Sequence, residues 1–520
     1  MSQSDTVKNT GPGAAKGYIK VANFSPLSTH SNQRHMLQRM FGVFLIGTML
    51  CSSSLAHSGK PRFHVIIDTD GAIDDMRAIS MLLSDNDVRV LAISCSQGTL
   101  LPGEVCIKVN NLLSSFHHEG IPVGTGDELS RELPAWSAFA RDVQWEGVRD
   151  SEQAYHHRAA IELLNSTLEN YPNKLTLIAL GSLNTYAGLL KANQALGERI
   201  ERIIWYNDHS IEEGFNYRVS PDSYIYLRSS GIDIEVVMND SDDLLVNEAY
   251  LHHVKNSNSV YAGQIEKVHS QAPVDEKIKA GHLYLWDDMV PLYLSAPVLF
   301  HTETLNQIKY VSINRQLPPD FVYETIGKLL VSASVTNNRV FSAFPTDTAL
   351  YKTEYAKVVN ETIRKFGQIE WKAITMTNEI HGHTGIYSII GAKMGIRAME
   401  YFNVGVNNME VTTYAGREPP FSCLNDGVQI STGATIGQGL ITISDSISKI
   451  PSALFAFNNQ EVMLSLSEEI AARIRDEIAY GVRNYGLLSD KYWLYIEDLA
   501  LKYWRDLDRQ EIFDIQALER

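Results

Sequence analysis

The stretch VIIDTDGAIDDMRAI, residues 65–79, constrains the fold of this chain more than any other. It places four aspartates within eight residues, directly after an apolar run that is typical of a buried strand. The acids fall in a turn that opens a segment with helical spacing. Carboxylates this close repel one another, so a folded chain must bind a cation among them or protonate them. A hard cation with oxygen ligands is the natural solution, and Ca²⁺ fits best.

The same aspartates also have a purely structural interpretation. Aspartate is favoured in the first turn of a helix, where it caps backbone N–H groups and complements the helix dipole. One or two aspartates are usually explained in this way. Four together, Asp68, Asp70, Asp74 and Asp75, favour a metal site.

Other apolar runs end in polar residues and alternate with segments of helical spacing. They lie at residues 63–70, 88–98, 173–183, 201–208 and 232–240. This alternation predicts an α/β fold with a doubly wound, mostly parallel sheet. Ligands bind such sheets at the carboxyl ends of the strands, which is where the acids lie.

The sequence pattern changes after about residue 300, and the segment 465–520 has a strongly helical pattern. We therefore expect a second, smaller α+β domain with a helical C-terminal tail. The predicted domains are a leader at 1–56, a first domain at 57–366 and a second domain at 367–520, with a boundary near 366.

The N-terminal segment has the pattern of an export signal. Residues 1–35 are polar and are expected to be disordered. Arg39 then precedes an apolar core at 40–51, and small residues end at Ala56. This pattern predicts a signal peptide cleaved after Ala56, an exported and periplasmic protein, and no stable membrane span after cleavage. A buried N-terminal helix is the alternative.

Two details of the leader bear on processing. A signal rarely begins 35 residues into a chain, so translation is expected to start at Met36 or Met40. Cys51 could suggest a lipoprotein, but Leu50 before it is too large for the usual lipidation site, which disfavours that interpretation.

Composition excludes some classes of function. The net charge of −16 argues against nucleic-acid binding, which needs basic surfaces. The four cysteines are scattered through 520 residues and contain no CxxC pair, so they do not form a disulfide framework.

Several motifs together resemble the inosine-uridine-preferring nucleoside hydrolases. DTDGAIDDMRAI resembles the family's DTDPGxDDxxAL signature, and five later segments match in order and spacing over roughly residues 62–310. They are VRVLAISCSQG, EGIPVGTGDE, LTLIALGSLNTYAGLL, EGFNYRVSPDS and LWDDMVPLYLSAP. The resemblance implies an enzyme that holds one Ca²⁺ and cleaves the N-glycosidic bond of a nucleoside. It also implies that homo-oligomers could form.

The resemblance implies a calcium site with named ligands. Asp70 would be both a calcium ligand and the base that activates the attacking water, Asp75 a bidentate ligand, and Asp287 the distant carboxylate ligand. The carbonyl of Leu180 would complete the protein ligands.

The same resemblance implies substrate contacts. Asp74 and Asn216 would bind ribose hydroxyls. Trp286 replaces the family's histidine and could either stack on a base or belong to the core.

Several other positions depart from the family pattern. Thr99 follows Gly98 where the family has asparagine, and Gly214 stands where the family has glutamate, with Glu213 one place earlier. Tyr206-Asn207-Asp208 replaces Met-Gly-Gly. The predicted calcium ligands are therefore kept, while several predicted sugar contacts are not.

A second set of metal-binding residue types lies in the C-terminal segment. His381 and His383 flank a glycine just before a helix, and Cys423 and Asp426 follow in a Gly- and Thr-rich stretch. Histidines in this position are often only caps or surface groups. Together with a cysteine they can form a transition-metal site, with Zn or Fe as candidates.

Residues 379–445 resemble the family of the E-type subunit of formylmethanofuran dehydrogenase. Both histidines of its HGHxCPG motif are present, but Gly385 stands where the family has cysteine. Its second motif keeps Cys423, Asp426 and Gln429. The resemblance implies a pocket for a metal or small ligand built from His381, His383, Cys423 and Asp426.

Three functional hypotheses follow. The first is an exported, calcium-dependent hydrolase acting on a nucleoside or another N-ribosyl compound. The second is a protein that captures a nucleoside-like ligand in a calcium-stabilised pocket without turnover. The third assigns the main activity to the C-terminal domain.

Overall fold

The computed structural model describes residues 61–145, 158–207, 211–306, 308–331 and 338–518. Its first strand, β1 (Phe63–Thr69), and second strand, β2 (Val88–Cys95), correspond to the first two apolar runs. All eight residues of β2 are buried, which requires cover on both faces of the sheet and explains the absence of polar alternation in the sequence.

The described residues place nine strands in one sheet, in the order β4-β3-β2-β1-β5-β6-β7-β9-β8. Neighbouring strands are parallel except β8 and β9, which form an antiparallel pair. The remaining strands are β3 (Val123–Thr125), β4 (Arg158–Ala159), β5 (Leu175–Ala179), β6 (Ile200–Tyr206), β7 (Ile234–Met238), β8 (Phe300–Leu305) and β9 (Ile308–Ile313). The predicted doubly wound, mostly parallel sheet is therefore confirmed.

Helices connect these strands. They are α1 (Ile73–Ser84), α2 (Pro102–Ser115), α3 (Ser137–Asp142), α4 (Ala160–Asn170), α5 (Asn184–Ala192), α6 (Phe215–Val219), α7 (Pro221–Ser229), α8 (Glu248–Ser257), α9 (Val260–His269), α10 (Ala272–Lys279), α11 (Met289–Ser295) and α12 (Pro319–Val331).

The strand order reverses at β1, which lies between β2 and β5. The chain runs outward from β1 through β2 to β4 and then returns to continue on the other side with β5. The loops after β1 and β5 therefore diverge and leave a crevice between them, the usual ligand position in open α/β sheets.

A second sheet is formed by the C-terminal segment. The described residues place five strands in the order β11-β10-β12-β13-β14. The strands are β10 (Glu410–Thr413), β11 (Ile441–Ile443), β12 (Ser452–Phe457), β13 (Gln460–Leu466) and β14 (Phe513–Leu518). The helices are α13 (Thr353–Ala356), α14 (Val359–His381), α15 (Ile386–Phe402), α16 (Leu424–Thr432), α17 (Glu468–Tyr485) and α18 (Asp490–Asp506). This arrangement confirms the smaller α+β part, and its helical tail ends in the strand β14.

Glycines allow α15 and α16 to pack closely. A Cβ at Gly391 would lie 2.2 Å from the carbonyl oxygen of Leu424, and a Cβ at Gly395 would lie 2.1 Å from Ser431 Oγ. The two glycines lie one helical turn apart and therefore face α16 together.

The loop before β3 joins the two sheets. The backbone N–H of Gly120 donates to the carbonyl of Tyr401 over 2.8 Å, and His118 Nδ1 lies 2.6 Å from the carbonyl oxygen of Glu400. The guanidinium of Arg397 reaches the carboxylate of Glu119 at 3.0 Å. These contacts lie within one compact unit that spans 58–520.

The predicted domain limits at 57, 366 and 367 stay predictions. At that place the chain bends inside α14, where Gly367 has φ 85° and ψ 163°. The predicted signal peptide and Cys51 lie outside the described residues. Among the helices that the structure describes, none combines the length and apolarity needed to cross a membrane.

Candidate functional site

The aspartates of the opening stretch lie at the reversal point of the sheet. Asp68 belongs to β1, Asp70 follows it directly, and Asp74 and Asp75 occupy the first turn of α1. Leu180 follows β5 in the neighbouring loop. Because β1 and β5 are parallel neighbours, their carboxyl ends bring these residues together.

Asp68 has a structural environment of its own. Its carboxylate accepts hydrogen bonds from Ser94 Oγ at 2.5 Å and from Ser96 Oγ at 2.7 Å. Burial raises the pKa of Asp68 to about 7, although these hydroxyls oppose the shift. Asp68 therefore links β1 to β2 and the loop after it.

Asp75 is held in place by the β1–α1 turn. Its Oδ1 accepts a hydrogen bond from Thr69 Oγ1 at 2.5 Å and another from the backbone N–H of Asp70 at 3.0 Å. These bonds fix the carboxylate before any ligand binds, which lowers the entropic cost of forming a site.

Three carboxylates meet in this crevice. One oxygen each from Asp74, Asp75 and Asp287 lies within 4.8 Å of the other two. Their exposed fractions are 8%, 2% and 2%. Burial, followed by the charges of Asp75 and Asp74, holds the pKa of Asp287 well above its usual range. This repulsion is what the sequence predicted for the cluster.

Two buried oxygens of the crevice, Asp70 Oδ1 and Asp287 Oδ1, have no hydrogen-bond partner among the described residues. Burial and the neighbouring charges of Asp75 and Asp74 raise the pKa of Asp70 well above its usual range. Orphaned buried carboxylate oxygens are costly unless an ion or proton satisfies them. The donor set is all oxygen, so the residues fit a hard cation such as Ca²⁺.

Glycines make room for Asp70. A Cβ at Gly98 would lie 2.1 Å from Asp70 Oδ2, and a Cβ at Gly181 would lie 3.1 Å from the Cβ of Asp70. Any larger residue at 98 would displace the carboxylate. The loops after β2 and β5 are therefore shaped around Asp70.

A buried ion pair fixes the segment that carries Asp287. Arg77 of α1 donates to both carboxylate oxygens of Asp288, over 3.0 Å from Nε and 2.7 Å from Nη2. Its Nη2 also donates to the carbonyl of Tyr284 at 2.9 Å. Arg77 lies two residues after Asp75 on α1, and Asp288 directly follows Asp287. The Arg77–Asp288 pair therefore holds Asp287 against the other acids.

The acids form the floor of a cavity of about 390 Å³, a size suited to a small organic ligand. Aromatic side chains form much of its wall, including Trp136 and Phe215, whose ring centroids lie 4.9 Å apart. The full lining comprises Asp70, Ala72, Ile73, Asp74, Asp75, Thr99, Trp136, Phe139, Ala140, Leu180, Tyr206, Phe215, Asn216, Arg218, Lys277, His282, Leu283, Trp286 and Asp287.

All the predicted site residues of the first region line this cavity. The Leu180 carbonyl accepts a hydrogen bond from Asn216 Nδ2 at 2.7 Å, and a carbonyl has a second lone pair that can still face a cation. The half-buried Trp286 stacks on Tyr284, with ring centroids 5.5 Å apart. It lines the cavity, and whether it stacks on a base or serves the core stays a prediction.

The departures from the expected pattern are explained in part by packing. A Cβ at Gly214 would lie 2.0 Å from Asn207 Oδ1, so Asn207 occupies the space of any side chain there. Asn207 is itself buried, and its Nδ2 donates to the carbonyl of Ile211 at 2.9 Å. Glu213 is exposed and does not line the cavity. Neither neighbour therefore replaces the missing glutamate.

Other lining residues escaped the sequence analysis, notably Trp136, Lys277 and His282. Trp136 lies far from the aspartates in sequence, and Lys277 and His282 precede Asp287 by ten and five residues without belonging to any motif. An aromatic pair beside an Asp-rich turn becomes recognisable only when the fold brings them together.

The second set of residues is grouped around the start of α15. His381 Nδ1 lies 2.7 Å from Asp426 Oδ2, and the ring centroids of His381 and His383 are 4.3 Å apart. His381 Nε2 is buried and has no hydrogen-bond partner within the part of the chain that the structure describes. Burial and the charge of Asp426 raise the pKa of Cys423 to about 11. Within the described residues, Asp74, Asp75 and Asp287 form the group whose potential ligand atoms lie within 4.8 Å of one another. The predicted residues of the second set do not form such a group in the described structure.

The geometry agrees with two family matches. Residues 65–207 match the inosine-uridine preferring nucleoside hydrolase family. Residues 380–486 match the family described as FmdE, molybdenum formylmethanofuran dehydrogenase operon. The chain therefore joins a nucleoside hydrolase-like region to an FmdE-like region, as its motifs predict.

Individual relatives match the hydrolase-like region. The pyrimidine-specific ribonucleoside hydrolase RihA of Shewanella baltica is 27% identical over 181 residues, covering 33% of this chain and 57% of that protein. Uridine nucleosidase 1 of Arabidopsis thaliana is 24% identical over 186 residues, covering 33% and 55%. The chain thus spans somewhat more than half the length of the curated relatives it matches.

Solved structures with a similar fold include a plant nucleoside hydrolase, the PpNRh1 enzyme. It has a TM-score of 0.42 and 18% identity, and the match covers 52% of this chain and 99% of that one. The purine-preferring ribonucleoside hydrolase from Gardnerella vaginalis has a TM-score of 0.43 and 17% identity, with the same coverages of 52% and 99%.

Proposed function

We propose that this protein is a calcium-dependent hydrolase that cleaves the N-glycosidic bond of a nucleoside or a related N-ribosyl compound. The observation that carries the proposal is the crevice of buried carboxylates, with orphaned oxygens on Asp70 and Asp287, at the floor of a ligand-sized cavity. The match to the nucleoside hydrolase family supports N-glycosidic hydrolysis as the reaction.

Asp70, Asp75, Asp287 and the Leu180 carbonyl would hold Ca²⁺ in this proposal. A bound Ca²⁺ would supply an electrophile that makes water easier to deprotonate and fixes sugar hydroxyls. Asp74 also belongs to the group of converging oxygens, so it could contact both the ion and the sugar.

The chain's own residues would then carry out the proton transfer and the positioning. Asp70 takes one proton of the attacking water at a carboxylate oxygen, while the water oxygen bonds to the anomeric carbon. The bond from that carbon to the base nitrogen breaks, and the base leaves with the electron pair. The buried carboxylates stabilise the positive charge of an oxocarbenium-like transition state. Asp74 and Asn216 orient the ribose hydroxyls.

A second candidate function is capture of a nucleoside-like ligand without turnover. It is favoured by Gly214, where the family has glutamate, and by the exposed position of Glu213. If the missing sugar contact is essential for the reaction, the site would bind calcium and ligand but release little product.

The test is ribose release by the mature chain, beginning at residue 57, across a panel of nucleosides. Release is measured with Ca²⁺, with a chelator, and in Asp70→Asn. Asp222→Asn is the matched control, because Asp222 is exposed on α7 and does not line the cavity. We expect calcium-dependent release that Asp70→Asn abolishes and Asp222→Asn keeps. Calcium binding without release from any nucleoside would favour the capture function.

We also propose that the FmdE-like region binds a transition metal, Zn or Fe, or a small ligand. The free Nε2 of His381 supports this, since a histidine whose other nitrogen meets a carboxylate is in the usual arrangement of a metal ligand. The high pKa of Cys423 means that its thiolate forms only with a cation nearby.

Metal content of the purified chain, compared between wild type and His383→Ala, tests this second site. Loss of a bound metal in the variant is expected. If ribose release also depended on His383, the C-terminal region would carry part of the main activity. A chain free of transition metal after growth in Zn- and Fe-supplemented medium would contradict the metal assignment.

We further propose an exported, periplasmic protein and homo-oligomerisation. Export is supported by the signal pattern that ends at Ala56. N-terminal sequencing of the mature chain from fractionated cells tests the cleavage site, and light scattering of the purified chain gives the oligomeric state.

A further inference from the structure

The cavity above the acids has its opposite charges separated between floor and rim. The acidic side chains of the described lining residues are the four floor aspartates, which are all buried. Arg218, Lys277 and His282 line the rim and are exposed or half-buried. Arginine and lysine are cationic at neutral pH, and histidine adds a charge when protonated. A ligand that spans the cavity therefore meets acids at one end and cations at the other.

Arg218 lines the cavity close in sequence to Asn216, the residue proposed to bind the ribose. It follows Asn216 by two residues on α6, and Asn216 reaches the floor through its bond to the Leu180 carbonyl. The guanidinium donates to the carbonyl of Glu213. Among the described residues it forms no ion pair with a carboxylate, so its charge remains available to a ligand.

The glycine at 214 increases the positive character of that side. The resembled family has a carboxylate here, whereas this chain has glycine, and Asn207 occupies the space that a side chain at 214 would need. Position 214, four residues before Arg218, therefore offers no negative charge that would neutralise the guanidinium.

Lys277 packs over an aromatic ring of the cavity wall. Its Nζ lies 5.0 Å from the ring centroid of Phe139, which also lines the cavity. Two residues later on the same helix, Lys279 points away and pairs with Asp275 at 2.6 Å. The two lysines lie on the same helix and carry the same charge, but Lys277 lines the cavity and Lys279 does not.

We infer that the cavity takes N-ribosyl compounds that carry an anionic group, a phosphate or a carboxylate, in addition to the ribosyl group that meets the floor. This inference rests on the proposed function and narrows its substrate class. A guanidinium binds phosphate or carboxylate through paired N–H donors, and lysine adds a point charge. Cations at the mouth of a cleft also attract anions before binding.

Three pyrimidine ribosides test the inference: uridine, uridine 5′-monophosphate and orotidine, which carries a carboxylate on its base. Their binding to Asp70→Asn is measured by calorimetry, so that the readout does not require turnover. Because Asp70 is itself a proposed calcium ligand, the Ca²⁺ concentration is one that a prior titration shows to saturate this variant. Their hydrolysis by the wild type is measured in parallel. We expect at least one anionic compound to bind about tenfold more tightly than uridine, with a difference that shrinks at high salt.

Charge-removing variants locate the anionic group. In the Asp70→Asn background, Arg218→Gln and Lys277→Gln are compared with Arg228→Gln and Lys279→Gln, which remove the same charges from residues that do not line the cavity. Loss of the preference for the monophosphate assigns a phosphate, and loss of the preference for orotidine assigns a base carboxylate. The two controls should keep both preferences.

The outcomes separate this inference from the proposed function. Equal binding of all three compounds, or a preference that neither Arg218→Gln nor Lys277→Gln reduces, would overturn the inference and leave hydrolysis of neutral nucleosides intact. Absence of hydrolysis of all three by the wild type would count against the proposed function, while the affinity ratios would still decide the inference.

Discussion

Replacing Arg77 by methionine tests how the candidate calcium site is held together. Arg77 and Asp288 are both fully buried, and the guanidinium donates to both oxygens of the carboxylate. The variant leaves the Asp288 carboxylate without its cation and removes a donor from the carbonyl of Tyr284. Breaking a buried pair in this way costs about 3–5 kcal/mol, because a buried charge is left uncompensated.

The free energy of unfolding is measured by urea denaturation of wild type, Arg77→Met, Asp288→Leu and the double variant. We expect each single variant to lose about 3–5 kcal/mol and the double variant to regain most of it, because apolar replacement of both partners is often close to neutral. Arg89→Met is the control: Arg89 is also buried, but it has no carboxylate partner among the described residues. Its replacement should cost much less.

Calcium affinity provides a readout beyond stability. Since Arg77 holds the segment that carries Asp287, the double variant should bind Ca²⁺ at least about tenfold more weakly even where its stability is restored. Unchanged calcium affinity in the double variant would refute the positioning role of the pair. A single variant as stable as the wild type would refute the expected cost of leaving a buried charge without its partner.

Three further perturbations have outcomes that follow from contacts in the structure. Gly98→Ala should weaken calcium binding more than about tenfold by isothermal titration, because the new Cβ would meet Asp70 Oδ2 at 2.1 Å. Burial lowers the pKa of His118 to about 4. The unfolded chain therefore binds the extra proton first, and stability is lost as pH falls from about 6.5 toward 4. Between pH 7 and pH 5 the wild type should lose about 2 kcal/mol more than His118→Gln in urea unfolding. Gly391→Ala should lower the unfolding free energy by about 2 kcal/mol or more, because its Cβ would meet the Leu424 carbonyl at 2.2 Å. A thermal melt unchanged from wild type would contradict that reasoning.

The sheet could be predicted because its central strands are short, largely apolar runs that end in polar residues, whereas the edge strand β8, FHTETL, is polar and exposed. The run at 88–98 became β2, and the run at 201–208 became β6, with ends shifted by one to three residues. The closing strand β14 is not evident from the sequence, because FDIQAL comes after a helical pattern and, among the described strands, pairs with the distant β13. Strand pairing of that kind depends on long-range contacts that a local pattern does not contain.

The site could be predicted in part. Asp70, Asp74 and Asp75 are neighbours along the chain, so their repulsion follows from the sequence alone. Asp287 follows from the resemblance alone, and the ion pair that holds its segment joins Arg77 to the neighbouring Asp288, 211 positions away. Of the rim cations, Arg218 and Lys277 lie on helices and His282 lies between α10 and Asp287, and no motif marks any of them as a cavity residue.

The coupling between Asn207 and Gly214 is a further example. The sequence shows two separate departures from the family pattern. In the structure, the side chain of Asn207 occupies the space that a side chain at position 214 would need. Such compensation is a property of packing in three dimensions, where one side chain fills the volume that another has lost.

The most direct test of the proposed calcium-dependent hydrolase is a single ribose-release measurement. The mature chain is incubated with uridine, inosine and uridine 5′-monophosphate, first with Ca²⁺ and then after chelation. Release that requires Ca²⁺, disappears in Asp70→Asn and persists in Asp222→Asn is the predicted result. Release that is unaffected by chelation, or that survives in Asp70→Asn, would contradict the assignment of the buried aspartates as the catalytic centre.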